Sequence, residues 1–175
     1  LQEFIVIATD LAGASSASLL NIQLPVVLGN GIWTSNGPGT WSDKTKWNAS
    51  FPANGPGYSA NFSTLNLAAN TTVTLDRTRS IGSMSFGDTS GSETWTLDAV
   101  DDSKLNLAVT SGSPAIVVNQ NTATLALGVS GTSGFTKTGP GTLTLGAGAA
   151  HSIGGWTVNE GVLVANSSAG DALTG

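Results

Sequence analysis

Two short stretches near the C-terminus decide the fold: Lys137-Thr-Gly-Pro-Gly-Thr-Leu-Thr-Leu145 and Gly154-Gly-Trp-Thr-Val-Asn-Glu-Gly-Val-Leu-Val164. Both contain short alternating segments that are bounded by glycine. Thr142, Thr144 and Val158 favour the pleated surface of a sheet, and the glycines allow turns with positive φ. The two stretches therefore predict β-strands that are separated by tight corners.

Similar strand patterns recur from residue 71 onward, and nearly every separator contains Gly, Asp, Asn or Ser. The spacing is about ten residues, or about twice that across longer loops. It fits either an antiparallel β-sandwich or a parallel β-solenoid with turns of about 20 residues. Two-residue hairpin signals are scarce here, so the solenoid is favoured within an all-β class. The predicted strands are 72–75, 83–86, 94–97, 104–107, 115–118, 123–127, 141–145, 156–158 and 162–164.

A solenoid stacks equivalent strands in parallel, so its inward side chains form ladders along the axis. The predicted ladder residues are Val73, Leu75, Leu105, Leu107, Leu125, Leu127, Leu143, Leu145 and Leu163. Helical patterns are nearly absent. The one candidate helix is 10–20, where Ala, Ser and Leu mix without strong periodicity.

The two C-terminal motifs resemble the autotransporter-associated β-strand repeat, also called the passenger-associated transport repeat. That family shows Gly-x-Gly-Thr-Leu-x-Leu, then Gly-Gly-Thr-Thr-Val-Asn-x-Gly-x-Leu-x-Val, and residues 139–145 and 154–164 are similar to these patterns. The tryptophan-rich stretch at 33–62 resembles the opening module of large secreted proteins that carry the same repeat. The resemblance implies a secreted β-solenoid scaffold, extracellular or at the cell surface, of bacterial origin.

The composition fits an extracellular β-protein and reduces the classes of partner that can be expected. Only 10% of the 175 residues are charged, the formal net charge is −5, and there is no cysteine. The negative charge gives no basis for a nucleic-acid partner, and the fold is not held by disulfides. Because no apolar run reaches about 18–20 residues, no membrane insertion is expected. Residue 1 is expected to follow a cleavage point, since Met and a basic leader region are missing.

The chain is predicted to divide into an N-terminal strand and linker segment, 1–30, and a solenoid domain, 31–175, with a tryptophan-rich cap at 33–62. A strand that is apolar on both faces must be buried on both. The N-terminal segment either caps its own solenoid or leaves its subunit and completes the next one, with 12–18 as the linker. The residues predicted for the subunit contact are Phe4, Ile5, Val6, Ile7, Leu20, Ile22 and Leu24.

The function predicted from these features is structural. The chain is expected to be a subunit of an extracellular or cell-surface filament, a homopolymer that grows head to tail. The alternative is a carbohydrate-binding or adhesive module, in which Trp33, Trp41 and Trp47 stack on sugar rings. Against that, the same tryptophans would be buried if they plug one end of the solenoid. An enzyme is not expected, and a polysaccharide-degrading site would need carboxylates that face one groove.

The remaining chemical candidates are weak. His151 is the single histidine and no nucleophile motif lies near it in sequence. Asp98, Asp101 and Asp102 are expected to stabilise a turn through local hydrogen bonds, with a calcium site as the weaker alternative. No cofactor is predicted. Four Asn-x-Ser/Thr sequons are possible glycosylation sites if the host glycosylates, at Asn48, Asn61, Asn70 and Asn166.

Overall fold

The protein is built almost entirely from β-strands. The computed structural model describes the backbone of residues 2–9, 15–22, 27–147, 150–166 and 172–173, and the side chains of 27–147 and 150–166. Within these residues the helical elements are two short 3-10 turns, Lys44–Lys46 and Asn48–Ser50. The strands are β1 Gln2–Thr9, β2 Ser15–Ile22, β3 Gly31–Ile32, β4 Gly39–Thr40, β5 Gly55–Phe62, β6 Thr71–Leu75, β7 Arg79–Phe86, β8 Trp95–Ala99, β9 Lys104–Leu107, β10 Ala115–Val118, β11 Thr122–Leu125, β12 Gly128–Gly131, β13 Phe135–Thr138, β14 Thr142–Leu145, β15 Ser152–Ile153, β16 Trp156–Val158, β17 Val162–Ala165 and β18 Ala172–Leu173.

Strands β3 to β18 wind into a parallel solenoid of about five turns. From β6 onward each turn runs along three faces. Face A is the sheet β4-β6-β8-β11-β14-β17. Face B contains β9, β12, β15 and β18, and face C contains β3, β5, β10, β13 and β16. The long strand β7 belongs to both, because its start lies beside β9 and its end beside β10. The predicted parallel β-solenoid is therefore confirmed, and the antiparallel sandwich is excluded.

Alternation along the face A strands divides their side chains between the core and the outer surface. Every strand pair from β6 to β17 keeps its register without a shift. The inward positions form two ladders: Thr71, Trp95, Ala123, Leu143 and Leu163 in one, and Val73, Leu97, Leu125, Leu145 and Ala165 in the other. Because the inward positions are mostly apolar, stacking the turns produces one continuous core.

The turns shorten toward the C-terminus while face A stays in register. Trp95 lies 24 residues after its partner Thr71 and 28 residues before its partner Ala123. Thr142 lies 20 residues from each of its partners in β11 and β17. The predicted repeat of about 20 residues is thus found around the two motifs that predicted it, and the earlier turns carry longer corners.

Face C supplies the aromatic part of the core. Phe62 lies beside Phe86, and their rings stack with centroids 5.2 Å apart and an interplanar angle of 8°. A second inward ladder on this face contains one charged residue among apolar ones: Ala60, Met84, Ile116, Lys137 and Val158. The charged member, Lys137, is fully buried and needs hydrogen-bond partners there.

One part of the ladder prediction is wrong. Leu105 and Leu107 are buried as expected, but they lie on face B, where Leu105 pairs with Val129. They do not continue the face A ladder of Val73 and Leu125. The error arises because alternation predicts which residues face inward but carries no information about which face of the solenoid they occupy.

Candidate subunit interface

The N-terminal segment is a β-hairpin. Strands β1 and β2 pair in antiparallel fashion, with Phe4 opposite Leu20 and Ile7 opposite Ala17. Because residues 15–22 form a strand, the candidate helix at 10–20 and the linker at 12–18 are both wrong from residue 15 onward. Residues 10–14, which connect the two strands, lie outside the described part of the chain.

Most residues predicted for the subunit contact belong to this hairpin. The backbones of Phe4, Ile5, Val6 and Ile7 lie in β1, and those of Leu20 and Ile22 lie in β2. Leu24 and the side chains of the other six lie outside the described residues. Among the described strands, β1 and β2 pair only with each other. The hairpin therefore has an unpaired backbone edge on each of its two strands.

The C-terminal end of the described solenoid exposes apolar side chains. Val158, an inward member of face C, is 42% exposed, and Val162 and Val164 on face A are 51% and 38% exposed. Leu163 is only half-buried, although its neighbour in the preceding turn, Leu143, is 0% exposed. Val162 and Val164 occupy outward positions beside Thr142 and Thr144, whereas the partial exposure of the inward Val158 and Leu163 indicates that the last described turn lacks the cover that each earlier turn receives from the next one.

The same end presents an unpaired strand edge. Strand β17 is the terminal strand of face A among the described residues. Its Val162 and Asn166 amides donate to the carbonyl oxygens of Gly141 and Leu145, at 3.3 and 3.1 Å. In a parallel strand, alternate residues point their amides to opposite sides, so the amides of 163 and 165 face away from β14. A further strand can pair with this edge.

Lys137 holds the last two turns together from inside. Its ammonium group donates to the carbonyl oxygens of Thr138 at 2.9 Å, Gly139 at 2.7 Å and Glu160 at 3.1 Å. All three ammonium hydrogens have acceptors, which is how a buried charge is tolerated. Burial lowers the pKa of Lys137, and the nearby Glu160 carboxylate partly offsets that shift. Lys137 therefore links the last two turns of the solenoid through hydrogen bonds beneath its C-terminal end.

The opposite end is closed by aromatic rings. Trp33 and Trp41 are 0% exposed and Trp47 is 3% exposed. Their ring centroids lie 5.4 to 6.0 Å from that of Phe62. Each indole N–H donates to a backbone carbonyl, of Ser35 for Trp33, Ala53 for Trp41 and Trp41 for Trp47. The prediction that glycans stack on these three rings is therefore wrong, because sugar stacking needs an exposed ring face.

The turn predicted at Asp98, Asp101 and Asp102 contains no group of metal ligands among the described residues. Asp101 has a positive φ of 52°, as befits a tight turn, and the Asp98 carboxylate accepts from the Ala99 amide at 2.8 Å. Asp101 and Asp102 line a shallow groove together with Lys104. In the part of the chain that the structure describes, no three acidic, histidine or cysteine side chains come together as metal ligands. The local-turn interpretation therefore accounts for these residues better than a calcium site.

His151 is buried, and its Nε2 lies 3.1 Å from the carbonyl oxygen of Gly146. The side chain therefore contributes to the corner that joins β14 to β15. Among the described residues, no helix is long and apolar enough to cross a membrane.

Three of the four sequon asparagines stabilise loops. The Asn48 side-chain oxygen accepts from the Ile32 amide at 2.7 Å, and that of Asn70 accepts from the Thr94 amide at 3.0 Å. Asn61 accepts from both the amide and the hydroxyl of Ser63. Asn166 is exposed. Glycosylation of these residues stays a prediction.

Comparison with protein families confirms the resemblance found in the C-terminal motifs. Residues 135–165 match the family model of the passenger-associated transport repeat. The repeat covers β13 to β17 and includes Lys137 and the exposed strand β17. It is associated with the exported passenger part of autotransporters, which is consistent with a place outside the cell or at its surface. No curated protein and no solved structure matched the chain.

Sequence reasoning missed the buried role of Lys137. A signal was present, since alternation in Phe135-Thr-Lys-Thr138 places the lysine on the same side as the phenylalanine. Lysine is almost never fully buried unless it is paired, so alternation alone does not identify a buried lysine. The carbonyl acceptors come from glycine-rich corners that cannot be located without the fold.

Proposed function

We propose that the protein is a structural subunit of an extracellular or cell-surface filament. In this proposal the N-terminal hairpin of one copy completes the C-terminal end of the next copy. The polymer grows head to tail because the two joining surfaces lie on different parts of the subunit. The role is mechanical and involves no catalysis and no cofactor.

The observation that carries the proposal is the difference between the two ends of the solenoid. The N-terminal end is filled by Trp33, Trp41 and Trp47, whose indole N–H groups are all bonded. The C-terminal end offers amides on β17 that bond no described strand, and exposed valines. Strand addition to such an edge gains backbone hydrogen bonds and buries apolar side chains together. The hairpin supplies the unpaired strands that this edge lacks.

Two variants separate the donor from the acceptor. Deletion of residues 1–22 removes the hairpin, and Ala165→Pro removes an amide that points to the free edge of β17. Proline is tolerated at an edge strand, and the amide of residue 165 bonds no described strand, so the subunit is expected to fold. Val164→Pro, whose amide points toward β14, is the matched variant that is expected to weaken the subunit itself.

Electron microscopy and analytical ultracentrifugation test the proposal. The full chain is expected to form filaments, and each variant alone is expected to stay monomeric with its solenoid strands intact. An equimolar mixture is expected to stop at dimers, because the Ala165→Pro chain still donates a hairpin and the truncated chain still accepts one. Filaments from the truncated chain, or monomers from the full chain, would refute strand donation.

A further inference from the structure

The corner loop 87–94, between β7 and β8, contains a buried carboxylate that has a single bonded oxygen. Asp88 is 1% exposed, and its Oδ1 accepts from the amides of Leu67 at 2.9 Å and Ser90 at 3.4 Å. Its Oδ2 is buried, and within 27–147 and 150–166 no amide or hydroxyl group donates to it. An ionised oxygen without a partner is costly to bury, so this atom needs a counter-charge or a donor.

A second carboxylate borders the same space. A methyl group built on Gly91 would lie 2.9 Å from Asp88 Oδ2 and would overlap Glu93 Oε2. The two oxygens therefore lie close together in front of the Gly91 α-carbon. Gly91 also has a φ of 119°, which favours glycine. Glycine at this position thus leaves room for the Glu93 carboxylate beside Asp88.

Neighbouring turns hold the loop in place. Thr89 donates its amide to the Leu65 carbonyl at 2.9 Å in the preceding corner. Asn121, in the following corner, donates its side-chain amide to the carbonyls of Gly91 at 3.3 Å and Glu93 at 3.1 Å. The two carboxylates are therefore positioned by backbone contacts to both adjacent corners.

The charge on Asp88 is favoured in spite of its burial. Burial alone would raise the pKa of Asp88, but the hydrogen bond from the Leu67 amide, a hydrogen bond shared with the Glu93 carboxyl group and the hydrogen bond from the Ser90 amide outweigh it and lower the pKa. A hydrogen bond between two carboxyl groups needs a proton on one of them; once both are ionised they repel each other unless a cation lies between them.

We propose that the loop 87–94 binds a calcium ion, with the carboxylates of Asp88 and Glu93 as its charged ligands. Calcium takes six to eight oxygen ligands in flexible geometry, and water and uncharged oxygens can complete the shell around two carboxylates. Magnesium fits less well because it demands a strict octahedral arrangement. Zinc prefers nitrogen and sulfur, whereas the chain has one histidine and no cysteine. Two carboxylates predict a dissociation constant of about 10⁻⁴–10⁻³ M, the range of extracellular modules.

Thermal unfolding of the chelator-treated full chain tests the site, with calcium chloride as the ligand. At about 10 mM calcium the Tm is expected to rise by about 3–10 °C, and magnesium at equal concentration is expected to raise it less. Glu93→Gln and Asp88→Asn are each expected to remove the calcium response. Asp102→Asn, in the other acidic turn, is the control and is expected to keep it.

If Asp88→Asn does not fold, Glu93→Gln still tests the calcium site. This variant is expected to fold because Glu93 is only half-buried and accepts a single described hydrogen bond, from the Ser92 amide at 2.9 Å. A calcium response that persists in Glu93→Gln would overturn the site. An unchanged Tm of the parent chain in calcium would overturn it as well. In that case a proton shared between the two carboxylates would be the better account, and acid would stabilise the parent chain more than Glu93→Gln.

Discussion

Replacement of Lys137 by Met tests whether the buried ammonium fastens the last two turns. Met keeps most of the side-chain volume, so the change mainly removes three hydrogen bonds. The Gly139 acceptor is buried and loses its only described donor, while the Thr138 and Glu160 acceptors are part-buried and can be solvated. One buried carbonyl without a partner costs about 1–3 kcal/mol. A domain of this size should then lose about 2–12 °C in Tm.

The dependence of stability on pH gives the same replacement a second signature. Burial lowers the pKa of Lys137 below its ordinary value of 10.5. In the window between the lowered pKa and 10.5 the unfolded chain binds more protons than the folded one. The free energy of unfolding therefore rises as the pH is raised from neutral through that window. Lys137→Met should abolish this rise.

Urea unfolding at pH 7 and at closely spaced values up to about 10.5 measures both effects. Lys104→Met, at an exposed position of β9, is the matched control and should stay within about 0.5 kcal/mol of the parent chain with its pH slope intact. The linking role of Lys137 would be refuted if the Lys137→Met chain were as stable as the parent at pH 7 and its free energy of unfolding changed with pH in the same way. The free-energy cost of burying the charge would then equal the stabilisation that its hydrogen bonds provide.

Two further changes probe the core and the corners. Phe62→Ala removes a ring that is 0% exposed and contacts four tryptophans. The change should cost about 3–5 kcal/mol in urea unfolding with loss of the near-ultraviolet tryptophan signal, and a loss under about 1 kcal/mol would contradict this. Gly139→Ala and Gly112→Ala both place alanine at positive φ, 79° and 74°, but only the former would overlap a backbone atom, the Val118 carbonyl oxygen. Gly139→Ala should be the less stable in calorimetry by more than about 1 kcal/mol, and equal losses would show that φ alone decides.

Strands with strong alternation could be predicted from the sequence, and those that depend on their neighbours could not. Residues 104–107, 115–118 and 156–158 were predicted with the bounds that β9, β10 and β16 have. In contrast, β12 is Gly128-Val-Ser-Gly131, which has two glycines and a single strong strand former. It forms a strand because Val129 fills the core between face B strands on either side, a tertiary effect that local propensity does not contain.

The candidate interface and the acidic loop also combine features that the sequence predicted with features that it did not. The apolar run at Phe4 to Ile7 predicted a strand, but its partner β2 was interpreted as a helix and a linker because Ser and Ala dominate its first half. Asp88 and Glu93 lie five residues apart in a Ser- and Gly-rich loop, which is typical of an exposed turn. The neighbouring corners, through Leu67 and Asn121, hold the loop in which the two carboxylates lie close together. Contacts between turns have no local sequence signature.

The two ends of the solenoid also determine how a polymer could grow. At the N-terminal end the three indole N–H groups already have acceptors and the rings are buried, so a neighbour placed there would gain no hydrogen bond and no apolar burial from these side chains. At the C-terminal end the amides of 163 and 165 bond no described strand and Val162 is 51% exposed, so added strands would gain hydrogen bonds and apolar burial. Lys137 bonds the last two turns to each other from inside, and such preorganisation would reduce the entropy lost if a strand were added at this edge. Growth by strand addition would therefore be polar, with each new hairpin docking on the repeat end of the chain before it.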